Sequence, residues 1–182
     1  MILLINICKE GMHYYEFVKP IEDILSGISA PFVTKYYSKL TKKDLDSSHR
    51  IIIAGTSLMD MSYSNHISKF RFLKDYDKPI LAICGGMQLL CLIHGCKLIK
   101  EEEIGLKAVN FNAEFLGVTG SREVYTLHNM AIKDDAILKK IFHIYSKTEC
   151  VQAVKHKTHK HYGVLFHPEV RNKDIIVQFL KV

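Results

Sequence analysis

The sequence has no tryptophan, only four prolines in 182 residues, and no two cysteines separated by a pair of residues. Without a Cys-x-x-Cys spacing there is no ground in the sequence to expect a structural zinc centre, and no metal is expected. The five cysteines, Cys8, Cys84, Cys91, Cys96 and Cys150, are odd in number and irregularly spaced, so they do not read as a disulfide framework. They fit a reducing, cytoplasmic setting in which most cysteines act as small apolar residues. The opening MILLINI is too short for a membrane span and lacks the basic start and small-residue cleavage site of an export signal. No repeat, low-complexity tract or linker interrupts the chain. The formal charge is +6, but the lysines are scattered and KHKTHKH (155–161) is the one dense basic stretch. Without a basic stripe interleaved with aromatics, neither nucleic acid nor a membrane is an expected partner.

What is present is 48% hydrophobic, enough for a sizeable core in a single domain over 1–182. Ile2 to Ile7 is a continuous apolar strand, of the type expected when both faces of a sheet are covered. Phe17 to Leu25 reads as a helix, with Pro20 tolerable in its first turn. Residues 30–37 and 49–55 give two more strands, and His66 to Leu73 a helix. KPILAI (78–83) is a fourth strand, followed by a helix over Met87 to His94 that Gly95 can cap. Strands alternating with helices imply a parallel sheet with helices on both faces. In the second half GLKAVNF, EFLGVT, EVYTLH, ECVQAVKH and HYGVLFH read as short strands, antiparallel additions to that core, and DIIVQFLKV as a closing helix.

Between the fourth strand and its helix stand Cys84, Gly85 and Gly86. A tight strand-to-helix turn can force its first residue into a strained backbone, while glycines after it allow close packing. The side chain at the turn then projects from the carboxyl end of the sheet, where open parallel sheets bind ligands. The helix N-terminus behind it favours a thiolate. The Gly85 N–H is placed to face a developing negative oxygen. Cys84 therefore reads as a nucleophile, or alternatively as a buried cysteine between two apolar elements. GVLFHPEV (163–170) supplies a base and an orienting group: on an extended segment His167 and Glu169 point the same way.

These two stretches, AICGGMQ and LFHPE, resemble the paired motifs of the class I (triad) glutamine amidotransferases. The resemblance implies a flavodoxin-like fold, with a central, mostly parallel sheet, helices on both faces and antiparallel additions in the second half. It implies that Cys84 attacks the side-chain amide of glutamine, His167 passes its proton to the leaving ammonia, and Glu169 orients His167. By the same resemblance Gly85 and Gly55, the latter in IIIAGTS, supply the oxyanion hole. Gln88, Leu127, His128, Asn129 and Met130 are candidates to hold the substrate. Residues 149–170 resemble the C-terminal stretch of free-standing amidotransferase subunits of archaeal GMP synthetases. That implies ammonia delivery to a separate ATP-dependent synthetase converting XMP to GMP. No cofactor is then expected in this chain, with ATP and magnesium on the partner. Alternatives are an amidotransferase for another synthetase, such as imidazole glycerol phosphate synthase, or a free-standing gamma-glutamyl peptide hydrolase. Cys91 and Cys96 read as core. His156, His159 and His161 read as a solvated alternation, and the glutamates 101–103 as a solvated face.

Overall fold

A computed structural model describes residues 1–182. In chain order the elements are β1 (Ile2–Asn6), α1 (Gly11–Phe17), α2 (Lys19–Gly27), β2 (Phe32–Tyr36), α3 (Lys42–Ser47) and β3 (Arg50–Ile53). After a 3-10 segment (Ser62–Leu73) come β4 (Ile80–Ile83), α4 (Gly85–Ile93), β5 (Leu98–Phe115), β6 (Val118–Ile132), α5 (Ala136–Ile141), β7 (Phe142–Lys147), β8 (Val151–His156), β9 (His161–Val164) and α6 (Lys173–Phe179). One nine-stranded sheet runs β2-β1-β3-β4-β9-β8-β7-β5-β6. Its first five strands pair in parallel and the remaining pairings are antiparallel. The parallel part, with β9 as fifth strand, is the 2-1-3-4-5 order of flavodoxin-like sheets.

The apolar runs are continuous because both sheet faces are buried. Leu4, Ile52, Leu81 and Ile83 point into one core with Phe17, Ile21, Leu25 and Phe179 of the helices on that side. Leu3, Ile5, Ile51, Ile53 and Ile80 alternate into a second core, under Tyr63, Phe70, Met87, Leu89 and Leu90. Helix α4 ends as its sequence implies. Gly95 takes φ +85, its N–H donates to Leu92 (2.9 Å), and Cys96 N–H reaches back to Cys91 (3.1 Å). That is a glycine-closed helix end.

Several expectations need correction. The helix expected over 17–25 is two, α1 and α2, with Pro20 in the first turn of α2, where no N–H is required. The segment around His66 is 3-10, kinked at His66 itself. The first three short strands expected after Gly95 are in fact one long hairpin, β5–β6. EFLGVT contains its turn: Leu116 (φ 49) and Gly117 (φ 77) both take positive φ, as the two-residue turns matched to strand twist require. A register shift between Lys100 and Glu103 inserts one extra residue in β5 opposite Met130–His128. That bulge turns Glu103 inward, leaving it 6% exposed, so the acidic run is not wholly a solvated face. His156 and His161 are buried as well, at 9% and 0% exposure. The His161 ring meets the Tyr76 carbonyl at 2.7 Å, and His156 Nδ1 accepts from the His159 N–H at 3.1 Å.

Candidate active site

Cys84 sits between β4 and α4 with φ 48 and ψ −109, a conformation that non-glycine residues rarely adopt. Such a residue costs on the order of 1–3 kcal/mol and persists only where its surroundings over-determine it. Here they do. The Cys84 N–H donates to the Val164 carbonyl (2.7 Å), and its carbonyl accepts the first turn of α4 from Gln88 N–H (3.0 Å). Gly86 lets α4 lie against β3: an added Cβ would stand 2.6 Å from the Ile53 carbonyl oxygen. The thiol is aimed at the Leu127 carbonyl, 3.6 Å away.

His167 follows β9, its N–H fixed to the Tyr125 carbonyl at 2.8 Å. Its Nδ1 lies 2.7 Å from Glu169 Oε1, and both side chains are buried. The pair is formed by a turn over 167–170, in which Val170 N–H closes onto the His167 carbonyl (3.2 Å), rather than by an extended strand. Pro168 in the middle of the motif is compatible with that turn. Phe17 backs the imidazole at 5.4 Å between centroids. His167 Nε2 is buried and unbonded within the chain. Burial pushes the imidazole pKa down, but the Glu169 carboxylate and the Cys84 sulfur outweigh it and hold the pKa well above its ordinary value. Glu169 thus faces a ring that favours its protonated form, next to the only cysteine in a strained turn.

Gly55 completes the contact. A Cβ there would lie 2.9 Å from His167 Cε1 and 3.4 Å from Cys84 Cβ, and its N–H makes no hydrogen bond within the chain. Gly85 opens α4, where an N–H has no intrahelical acceptor. The loop after Gly55 is tied down by Asp60, which the sequence pattern does not single out. Its carboxylate accepts from Lys9 N–H (2.6 Å), Thr56 Oγ1 (2.7 Å), Ser62 N–H (3.1 Å) and Ser62 Oγ (2.6 Å). Burial raises its pKa, yet these donors win and hold it below the ordinary carboxylate value. Tyr63 is a second residue that sequence reasoning misses: its hydroxyl donates to Gln88 Oε1, while Gln88 Nε2 donates to the Met130 carbonyl (2.7 Å). The loop itself is marked in the sequence by Gly55 in IIIAGTS; only the polar spacing of Thr56, Asp60 and Ser62 hints at the bonds that hold it.

Leu127, His128 and Asn129 line a cavity in front of Cys84 together with Ser57, Tyr63 and Gln88; its volume is about 10 Å³. That is room for about one water. Met130 contributes its carbonyl to Gln88. All the residues expected from the sequence are therefore neighbours in space, although the cavity is too tight for an amino acid.

The family model for class-I glutamine amidotransferases matches residues 17–181, and the chain belongs to that family. It is similar to a subunit of the glutamine-hydrolyzing GMP synthase of Picrophilus torridus, 36% identical over 125 residues that cover 62% of this chain and 64% of that protein. The corresponding GMP synthase subunit from Thermoplasma acidophilum is 29% identical over 163 residues, 80% of each chain. The match thus spans less than two thirds of the length of the first relative. Among solved structures, a GMP synthase subunit of T. acidophilum superposes with a TM-score of 0.85 at 21% identity, covering 99% of this chain and 92% of the other. A glutamine amidotransferase of Thermotoga maritima gives 0.72 at 17% identity, covering 99% and 80%. At these identities the superpositions speak for the fold alone. No helix is long and apolar enough to cross a membrane.

Proposed function

We propose that residues 1–182 act as a single glutaminase domain that releases ammonia from glutamine for a separate synthetase. The observation that carries this is the convergence of a strained Cys84, the buried His167–Glu169 pair at 2.7 Å, and Gly55 packed against both Cys84 and His167. In this reading His167 takes the Cys84 thiol proton as the sulfur attacks the amide carbon of glutamine, forming a tetrahedral intermediate whose oxygen faces the Gly85 and Gly55 N–H groups. His167 gives its proton to the departing ammonia, leaving a glutamyl thioester. It then takes a proton from water as that water attacks, and glutamate leaves as the thiol is restored. Glu169 holds the ring and compensates its charge. Gln88, fixed by Tyr63 and Met130, and the strand end Leu127–Asn129 orient the amino acid. ATP and magnesium belong to the partner, and the protein works in the cytoplasm.

The acceptor favoured by the similar GMP synthase subunits is XMP, aminated to GMP by an ATP-dependent partner. The 10 Å³ cavity is closed to glutamine and to gamma-glutamyl peptides alike as it stands. This gives the partner a task. The Ser57–Met61 loop must shift for glutamine to enter, and Asp60 is the residue that holds it. The test is steady-state glutaminase kinetics of the chain alone and with the ATP-dependent component of GMP synthetase, saturated with ATP and XMP. The reading expects weak activity alone and a rise in kcat larger than any fall in KM, because the hole acts mainly on the transition state. Full-rate hydrolysis by the chain alone would contradict the gating. No stimulation and no GMP would contradict the choice of acceptor.

A further inference from the structure

A second polar cluster lies beside the nucleophile's cavity and shares only His128 with it. The β5 bulge turns Glu103 inward, directly opposite His128 on β6, and Cys150 comes from the turn before β8. All three are buried, at 6%, 2% and 2% exposure. One atom from each, a glutamate carboxylate oxygen, a histidine ring nitrogen and the Cys150 sulfur, lies within 4.8 Å of the other two. This is not a second relay triad. In a relay the thiol and the carboxylate sit on opposite ring nitrogens, as a carboxylate does at His167. Here both approach the same nitrogen, Nε2 of His128: Cys150 Sγ at 3.6 Å and Glu103 Oε2 at 3.8 Å.

The charges need an explanation. No lysine or arginine pairs with the buried Glu103 carboxylate, and its one basic neighbour within 4 Å is His128. His128 meets that carboxylate only at 3.8 Å, too far for a hydrogen bond, so it does not close the site by itself. Thr148 Oγ1 (3.1 Å) and Gln152 Nε2 (2.7 Å) donate to the carboxylate, which solvates it without neutralising it. Buried carboxylates are ordinarily paired or coordinate a metal. Gln152 is fully buried beside the cluster: its Nε2 lies 2.7 Å from Glu103, 2.9 Å from Thr148 Oγ1 and 3.3 Å from Cys150 Sγ, while its Oε1 has no partner. Nitrogen and oxygen of an amide exchange places by a half-turn.

We propose that Glu103, His128 and Cys150 bind a thiophilic divalent cation of the zinc class, with Gln152 Oε1 as fourth ligand after its amide turns. Tetrahedral zinc with ordinary bond lengths sets nitrogen and sulfur ligands about 3.6 Å apart and nitrogen and oxygen ligands about 3.3–3.5 Å apart. The observed 3.6 and 3.8 Å ask for a contraction of a few tenths of an ångström. On binding, the Cys150 S–H bond breaks, its proton leaves to solvent, and a sulfur–metal bond forms with no change of oxidation state. The thiolate and carboxylate together then balance the cation. The ligands come from three separated strands and turns, so no motif spacing announces them. The site ties the β5–β6 hairpin to the turn before β8 one residue from Leu127, whose carbonyl receives the Cys84 thiol. The ion would stiffen the strand end that lines the cavity.

The test uses the full chain as Cys84→Ala, which removes the competing thiol, stripped with chelator and titrated with Co²⁺. The expected result is a thiolate-to-cobalt band in the near ultraviolet with visible bands of a tetrahedral site, saturating at one ion per chain and displaced by one Zn²⁺. Cys150→Ser abolishes the near-ultraviolet band and weakens Zn²⁺ binding by at least about 100-fold. If circular dichroism shows that Cys150→Ser does not fold, Glu103→Gln takes its place, with the same weakening expected. Absence of the bands in the Cys84→Ala chain overturns the proposal. So does a near-ultraviolet band that survives Cys150→Ser, or Zn²⁺ affinity unchanged by Glu103→Gln.

Discussion

Replacing Gly55 by alanine tests the packing at the active site with one methyl group. Gly55 does not occupy the left-handed region, so the backbone tolerates alanine and the added carbon is the whole perturbation. That carbon would stand 2.9 Å from His167 Cε1, where ordinary contact begins at 3.4 Å, an overlap of at least 0.5 Å. His167 cannot recoil freely, being bonded to Glu169 at 2.7 Å and backed by Phe17. Either the ring moves by that amount or the 55–61 loop does. A misplacement of 1 Å can cost ~100-fold, so half of that in the ring costs ~10-fold. Displacing an oxyanion donor instead costs ~100- to 1,000-fold. The expected loss in kcat is therefore ~10- to 1,000-fold, with KM changing less. Overpacking should also lower stability by about 1–3 kcal/mol. The assay is glutamine hydrolysis with the partner present, beside thermal unfolding. Gly11→Ala, which meets nothing within 4 Å, is the control. A Gly55→Ala chain with wild-type kcat would refute the reasoning.

Three further predictions follow from the same geometry. His167→Ala should cost ~10⁴-fold in kcat and Glu169→Ala about 10²-fold, since Glu169 orients the base without transferring the proton itself; rates with the order reversed would exchange their roles. Gly86→Ala should destabilise strongly, because its Cβ meets the Ile53 carbonyl at 2.6 Å. Gly163→Ala should be milder, because its contact is the flexible Met87 side chain at 2.8 Å, and denaturant melts should rank the two in that order. Asp60 is depressed in the folded state, so its contribution is present above the unfolded carboxylate pKa and lost as pH falls through the lower folded value. Asp60→Asn should therefore be less stable than wild type at pH 5–7, with the gap closing below about pH 3.8 in urea titrations; a gap that persists undiminished in acid would contradict this.

What was legible in the sequence follows physical range. The parallel half could be read because its strands are buried on both faces, so Ile2–Ile5, Ile51–Ile53 and Ile80–Ile83 stand out as unbroken apolar runs. The Cys84 turn and the His167–Glu169 pair could be read because each is a local arrangement of a few residues. The β5–β6 hairpin was not legible, because its alternation is broken by a bulge and turned by Leu116, a residue that rarely takes φ 49. The burial of Glu103 is hidden for the same reason, as one inserted residue reverses which face it occupies. Asp60 and Tyr63 act through contacts that only the folded loop creates. The Glu103–His128–Cys150 cluster joins residues up to 47 positions apart and has no local trace.

The central claim is that Cys84 is the nucleophile that liberates ammonia. The most direct measurement compares wild type and Cys84→Ala, each with the partner synthetase, in two assays: glutamate formed from glutamine, and product formed when ammonium replaces glutamine. The account predicts no glutamate from Cys84→Ala and an undiminished ammonium-dependent rate, because the thiol serves only to generate ammonia. Glutamate released by Cys84→Ala at the wild-type rate would contradict it.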